Sequence, residues 1–185
     1  MLKKSLFTLL IIITLLSQGC FEDKNVEEAN SVITTNEYVL TSTDNSQLII
    51  KKENNGFVLE GAKGKVIILD VFATWCPPCR AAAAHLSKLK EKYAEDLVII
   101  GITIEDGIEN SKLEDFKAQY EANYTLVNSS ENRRLINEIA LTLRVGERFP
   151  IPLMAIYKDG VLINHYLGAV EEEFINSDIK NALAK

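Results

Sequence analysis

Hydrophobic and polar positions divide the chain into an apolar leader, a polar stretch and a long patterned region. In MLKKSLFTLLIIITLLSQGC two lysines precede an apolar run from Leu6 to Leu16, which gives way to small and polar residues ending at Gly19-Cys20. Residues 21 to 36 (FEDKNVEEANSVITTN) follow neither a helical nor a strand period and read as a tether. From Tyr38 the pattern tightens into short alternating segments, YVLTST, QLIIKKE and GFVLEG, bounded by Asn and Gly, which predict edge strands and turns. After Gly64-Lys65 the run VIILDVFA is continuously apolar except for Asp70, as in a central strand buried on both faces.

Residues 77 to 94 (PPCRAAAAHLSKLKEKYA) carry Ala82, Leu86, Leu89 and Tyr93 at helical spacing, and proline suits a first helical turn. LVIIGITIE (97 to 105) predicts a second buried strand, and Ser111 with Glu114 resembles a capping box opening the helix KLEDFKAQYEA. A short strand YTLV and a helix ENRRLINEIALTLRV follow, then a hairpin PLMAIYKDGVLINHYLG turning at Asp159-Gly160. EEEFINSDIKNALA closes the chain as a helix with acids in its first turn. Alternating strands and helices, then a hairpin and a last helix, predict one α/β layered domain without internal repeats.

Composition narrows the function. A hydrophobic fraction of 47% over 185 residues is that of a globular protein with one well-cored domain. The net charge of −6, from 26 acids against 20 bases, has no basic cluster after residue 4, which excludes a nucleic-acid surface. The leader has a secretory signal layout, and its apolar run falls short of the ~20 residues that span a bilayer. Gly19-Cys20 resembles a bacterial lipoprotein signal, although Leu16 stands four rather than three residues before the cysteine. Residues 1–19 are therefore expected to be a signal peptide, 20–36 a tether lipidated at Cys20, and 37–185 the folded domain. Such a domain works outside the cytoplasm, on the membrane, where disulfides persist.

Two thiols remain, in FATWCPPCR (72 to 80), directly after the buried strand. Three readings compete: a structural disulfide, half of a metal site, and a redox dithiol. A zinc site needs two more ligands, and His85 and His165 are the only histidines. A copper carrier using Cys76, Cys79 and Met154 or a histidine is chemically reasonable, because soft sulfur suits Cu(I). For a redox dithiol, a cysteine at a helix N-terminus sits at the positive end of the helix dipole, which favours Cys76 as the nucleophile. Cys79, one turn in and expected to be more buried, would attack the mixed disulfide and release the substrate. Pro78 fixes the turn. Pro77 removes an N–H that another residue could offer to the Cys76 sulfur, so the reduced form is less stabilised and the pair is a better reductant. Trp75 is expected to pack beside the motif and shape its rim.

FATWCPPCR after a buried strand, the later FPIPLMAIYKDG and Gly168 before the last helix together resemble the TlpA/ResA/CcmG group of thioredoxin-family lipoproteins, over about residues 38 to 184. The resemblance implies a thioredoxin fold, with a central mixed β-sheet flanked by helices, an N-terminal β-extension and a TlpA-type insertion. It implies a membrane-anchored thiol-disulfide oxidoreductase reducing protein disulfides such as those of apocytochrome c, resupplied by an upstream membrane thiol reductant, without cofactor or metal and as a monomer. A disulfide oxidase or isomerase is the alternative within the enzyme class. By the same resemblance Pro152 is the cis-proline facing the cysteines, Ile151 offers main-chain groups to an extended substrate, and Trp75 and Pro77 complete the substrate contacts. Asp70 stands where thioredoxins hold a buried acid beneath the dithiol, and would exchange a proton with Cys79. Two departures stand out. Ala82 replaces the glutamate usual three residues after the second cysteine, and Gly101 stands where thioredoxins set a lysine near the acid. Glu105 is a weaker candidate for tuning the pair.

Overall fold

The computed structural model describes residues 36–184. The expected signal peptide and Cys20 lie outside the described residues, as does all of the expected tether except Asn36. Strands β1 (Glu37–Thr41), β2 (Gln47–Glu53) and β3 (Gly56–Leu59) form a three-stranded antiparallel sheet of their own. They form the expected N-terminal β-extension, as a sheet apart from the central one. Their alternation buries one face, with Tyr38, Leu40, Ile50 and Phe57 inward, and that face joins the main core.

The central sheet has five strands in the order β6 (Thr125–Val127), β5 (Leu97–Thr103), β4 (Val66–Phe72), β7 (Leu153–Lys158) and β8 (Val161–Leu167). β4, β5 and β6 run parallel, whereas β7 pairs antiparallel with both β4 and β8. Every residue of β4 is buried, as its apolar run requires of a strand covered on both faces. The β7–β8 turn uses Asp159 and Gly160, both at positive φ (47° and 77°), the conformation a two-residue hairpin needs.

Among the described residues four helices cover the sheet: α1 (Pro77–Lys92), α2 (Asn110–Tyr120), α3 (Asn132–Leu143) and α4 (Glu172–Leu183). The pleat sorts them. Val66, Ile68 and Phe72 of β4 pack with α1, α2 and α4, whereas Ile67, Leu69 and Val71 face α3 and the N-terminal sheet. Asp70 shares the parity of Ile68 and Phe72, so it points towards the helix that carries the cysteines. The stripe buried on α1 runs through Cys79, Ala83, Leu86 and Leu89, with Ala82 only half-buried. The capping box expected at Ser111 and Glu114 is absent: the chain turns extended at Glu109, Ser111 falls inside the helix, and no side chain caps its first turn. Among the described residues no helix is long and apolar enough to cross a membrane.

Candidate active site

The site is built where β4 ends and α1 begins. Cys76 is the N-cap of α1, with extended backbone (φ −83°, ψ 114°), and its sulfur accepts the Cys79 N–H at 3.4 Å. The next two residues are prolines at the first helical positions, so neither can supply an N–H to that sulfur. Both thiols are free. From the other side the loop before β7 closes over them. The Ile151–Pro152 peptide bond is cis, and the Cys76 thiol donates to the Ile151 carbonyl at 3.6 Å. Gly168, in the loop before α4, donates its N–H to the Pro152 carbonyl at 2.8 Å and ties that loop to the same point.

Exposure corrects one expectation. Cys76 and Cys79 are equally buried, each 3% exposed, because the Ile151-Pro152 loop covers the first sulfur as the helix covers the second. Trp75 is 59% exposed and stands on the rim. Beside α1 a groove of about 380 Å³ is lined by Pro78, Ala82, His85, Val170 and the exposed Phe174.

Beneath the sulfurs the floor is unusual. Asp70 is 2% exposed, and in register its neighbours are Gly101 on β5 and Met154 on β7. One carboxyl oxygen accepts the Tyr124 hydroxyl at 3.3 Å, and the other has no protein partner. Burial holds the Asp70 carboxyl up at about 7, with the Tyr124 hydrogen bond pulling the other way. Burial also pushes the Cys79 thiol well up; the hydrogen bond to Cys76 and the nearby Asp70 charge add to this, and the Ala73 backbone opposes it. A thiol so reluctant to ionise gains from a base beside it, and a carboxyl poised near neutrality is a suitable one.

The rim is held differently. Glu105, just beyond β5, accepts the Thr74 N–H at 2.6 Å and the Thr74 hydroxyl at 3.0 Å. Arg80 donates from Nε to the Thr74 carbonyl at 2.7 Å, and its guanidinium lies 5.2 Å from the centroid of the Tyr120 ring. Both main-chain groups of Thr74 are thus bound by charged side chains, which fixes the loop that presents Trp75 and Cys76. The geometry brings together Asp70, Cys76, Cys79, Ile151 and Pro152, with Trp75 and Pro77 at the edge.

Sequence reasoning missed Thr74, Arg80, Tyr124 and Phe174. Arg80 closes the motif FATWCPPCR, and Tyr124 opens a strand facing a glycine; those were the available signals. For the metal readings, Met154 is buried beside Asp70, His85 lies on α1 and His165 on β8. Among the described residues no three His, Cys, Asp or Glu side chains form a group that could hold a metal ion.

Comparison with known proteins adds the family. The Redoxin family model matches residues 34–183. The thioredoxin-like protein YneN of Bacillus subtilis is 35% identical over 54 residues, 29% of this chain and 32% of that protein, so the match spans about a third of that relative's length. The thiol-disulfide oxidoreductase ResA of Bacillus thuringiensis is 28% identical over 148 residues, 74% of this chain and 80% of its own. Among solved structures, a thiol:disulfide interchange protein of the thioredoxin family from Chlorobium tepidum superposes with a TM-score of 0.63 over 80% of this chain and 94% of its own. Its 18% identity carries the fold alone.

Proposed function

The chain belongs to the Redoxin family, with TlpA/ResA/CcmG-like thioredoxin relatives, and from that premise we propose that it is a thiol-disulfide oxidoreductase that reduces protein disulfides through Cys76 and Cys79. The observation that carries the reading is the pair itself: a free thiol at a helix N-cap, facing a second thiol one turn in and the carbonyl of a cis-proline loop. Cys76 attacks a substrate disulfide, forming a mixed disulfide and releasing one substrate thiol. Asp70 takes the Cys79 proton, the Cys79 thiolate attacks the Cys76 sulfur, and the second substrate thiolate leaves and is protonated. The enzyme loses two electrons and the substrate gains them. Ile151 and Pro152, with Trp75 and Pro77 at the rim, would hold an extended substrate segment as an added strand. The reducing direction is supported by the two prolines, which leave one long hydrogen bond to the Cys76 sulfur.

The wider setting belongs to the same proposal. Residues 1–19 act as a signal peptide, Cys20 carries the lipid, and 20–36 tether a monomeric domain on the periplasmic side of a bacterial membrane. There an upstream membrane thiol reductant resupplies it, and protein disulfides such as those of apocytochrome c are its substrates. Cys20→Ala should release a soluble protein with unchanged dithiol chemistry, and loss of activity in that variant would place Cys20 in the redox centre. The test of the core reading is turnover of a disulfide-bonded protein substrate. Cys76→Ser should abolish it, and Cys79→Ser should accumulate mixed disulfide through Cys76. Turnover unaffected by either change would contradict the reading.

A further inference from the structure

The space beside Asp70 is shaped by a glycine and filled by a phenol. Asp70 pairs in register with Gly101, and a β-carbon at residue 101 would lie 2.5 Å from Leu126 Cδ2 and 3.1 Å from Tyr124 Cε2. No larger side chain fits there while Leu126 and Tyr124 keep their places. Tyr124 is fixed from behind, because the preceding Asn123 donates its N–H to the buried Ser87 hydroxyl of α1 at 2.8 Å. Its ring is buried, and the hydroxyl gives Asp70 its one donor among the described side chains, at 3.3 Å. The groups that face Asp70 are few. Cys79 approaches from α1 and Tyr124 from the segment before β6, while Gly101 on β5 and Met154 on β7 carry nothing that titrates.

We propose that Tyr124 is the positioning residue for proton transfer at this site: its hydroxyl occupies one oxygen of the Asp70 carboxyl and leaves the other to exchange a proton with Cys79. This rests on Asp70 being the proton acceptor in resolution. A neutral donor suits that role. A cation at this position would hold the carboxylate ionised and weaken it as a base, and an apolar neighbour would keep it protonated. Tyr124 supplies an intermediate environment without adding charge to the floor. In each turnover the Cys79 proton passes to Asp70 and then to the departing thiolate or solvent, so Tyr124 neither gains nor loses a proton.

The experiment follows resolution of a trapped mixed disulfide across pH in the full chain, for wild type, Tyr124→Phe, Asp70→Asn and the double variant. Wild type should show a rise with pH governed by Asp70. Tyr124→Phe removes only the hydroxyl and should move that rise alkaline by about one pH unit, because the carboxylate loses a donor. Asp70→Asn should erase the rise, and adding Tyr124→Phe to it should change nothing further. If Asp70→Asn leaves the rise intact, the proton-acceptor reading fails and the inference with it. If Asp70→Asn erases it but Tyr124→Phe leaves it at the wild-type pH, the role of Tyr124 alone is overturned.

Discussion

Two carboxylates flank the dithiol loop, and their surroundings are opposite. Glu105, on the rim, is half-buried and accepts the N–H and hydroxyl of Thr74, with the Thr103 hydroxyl 3.4 Å away. Asp70, in the floor, is fully enclosed and receives one long hydrogen bond from a neutral phenol. A carboxylate that accepts both groups of one residue acts as a clamp. One starved of donors in a dry site exchanges protons near neutrality. The same functional group therefore supports the loop in one place and serves the chemistry in the other, and the number of donors within reach separates the two roles.

The largest effect that would break this contrast is on stability. The folded Asp70 carboxyl is held at about 7 against an ordinary 3.8, so between these values the folded state binds a proton that the unfolded state has lost. Stability from this group is present at low pH and falls as pH rises through that window. Between about pH 5 and about pH 8 the wild type should lose about 3 kcal/mol relative to Asp70→Asn, measured by urea unfolding at both values. A constant difference would mean that Asp70 is not the raised acid.

Next in size is resolution. Asp70→Asn should slow release of substrate from the mixed disulfide by about 10²-fold near neutral pH, as expected for loss of a positioned base, while the first attack by Cys76 stays close to wild type. Stopped-flow detection of each step separates them. Glu105→Ala sharpens the contrast from the other side. It should cost about 1–2 kcal/mol of stability and slow the first attack modestly, and the pH at which resolution rises should not move. The smallest effect is Arg80→Lys, which loses the fixed guanidinium plane over Tyr120 and the Nε contact to Thr74 and should cost about 1 kcal/mol or less, read as a lowered unfolding midpoint.

The parts legible in the sequence were those set by local pattern. The apolar run of β4 announced a strand covered on both faces, Asp159-Gly160 announced the β7–β8 hairpin, and Cys76 ahead of two prolines announced a helix N-terminus. The Ser111 capping box misled because the motif fixes composition, whereas the chain's direction at Glu109 decides where the helix begins. An N-terminal β-extension was expected, but its pairing as a sheet of its own was not legible, because alternation says that one face of a strand is buried and not which sheet it joins. Tyr124 escaped for a related reason: its hydroxyl meets Asp70 only because β6 pairs with β5 and brings the phenol beside Gly101, a contact spanning 54 positions of chain. The Glu105–Thr74–Arg80 clamp likewise depends on where β5 ends relative to β4, which register decides.

The most direct test of the account is the reduction potential of the Cys76/Cys79 pair, measured by equilibration with defined thiol–disulfide buffers at neutral pH. With two prolines denying N–H donors to the Cys76 sulfur and the buried Cys79 thiol resisting ionisation, the account predicts a two-electron transition at or below about −250 mV, in the range of reducing thioredoxins. A potential above about −180 mV would make the protein an oxidant or isomerase, and the absence of any two-electron transition would contradict a redox role for the pair.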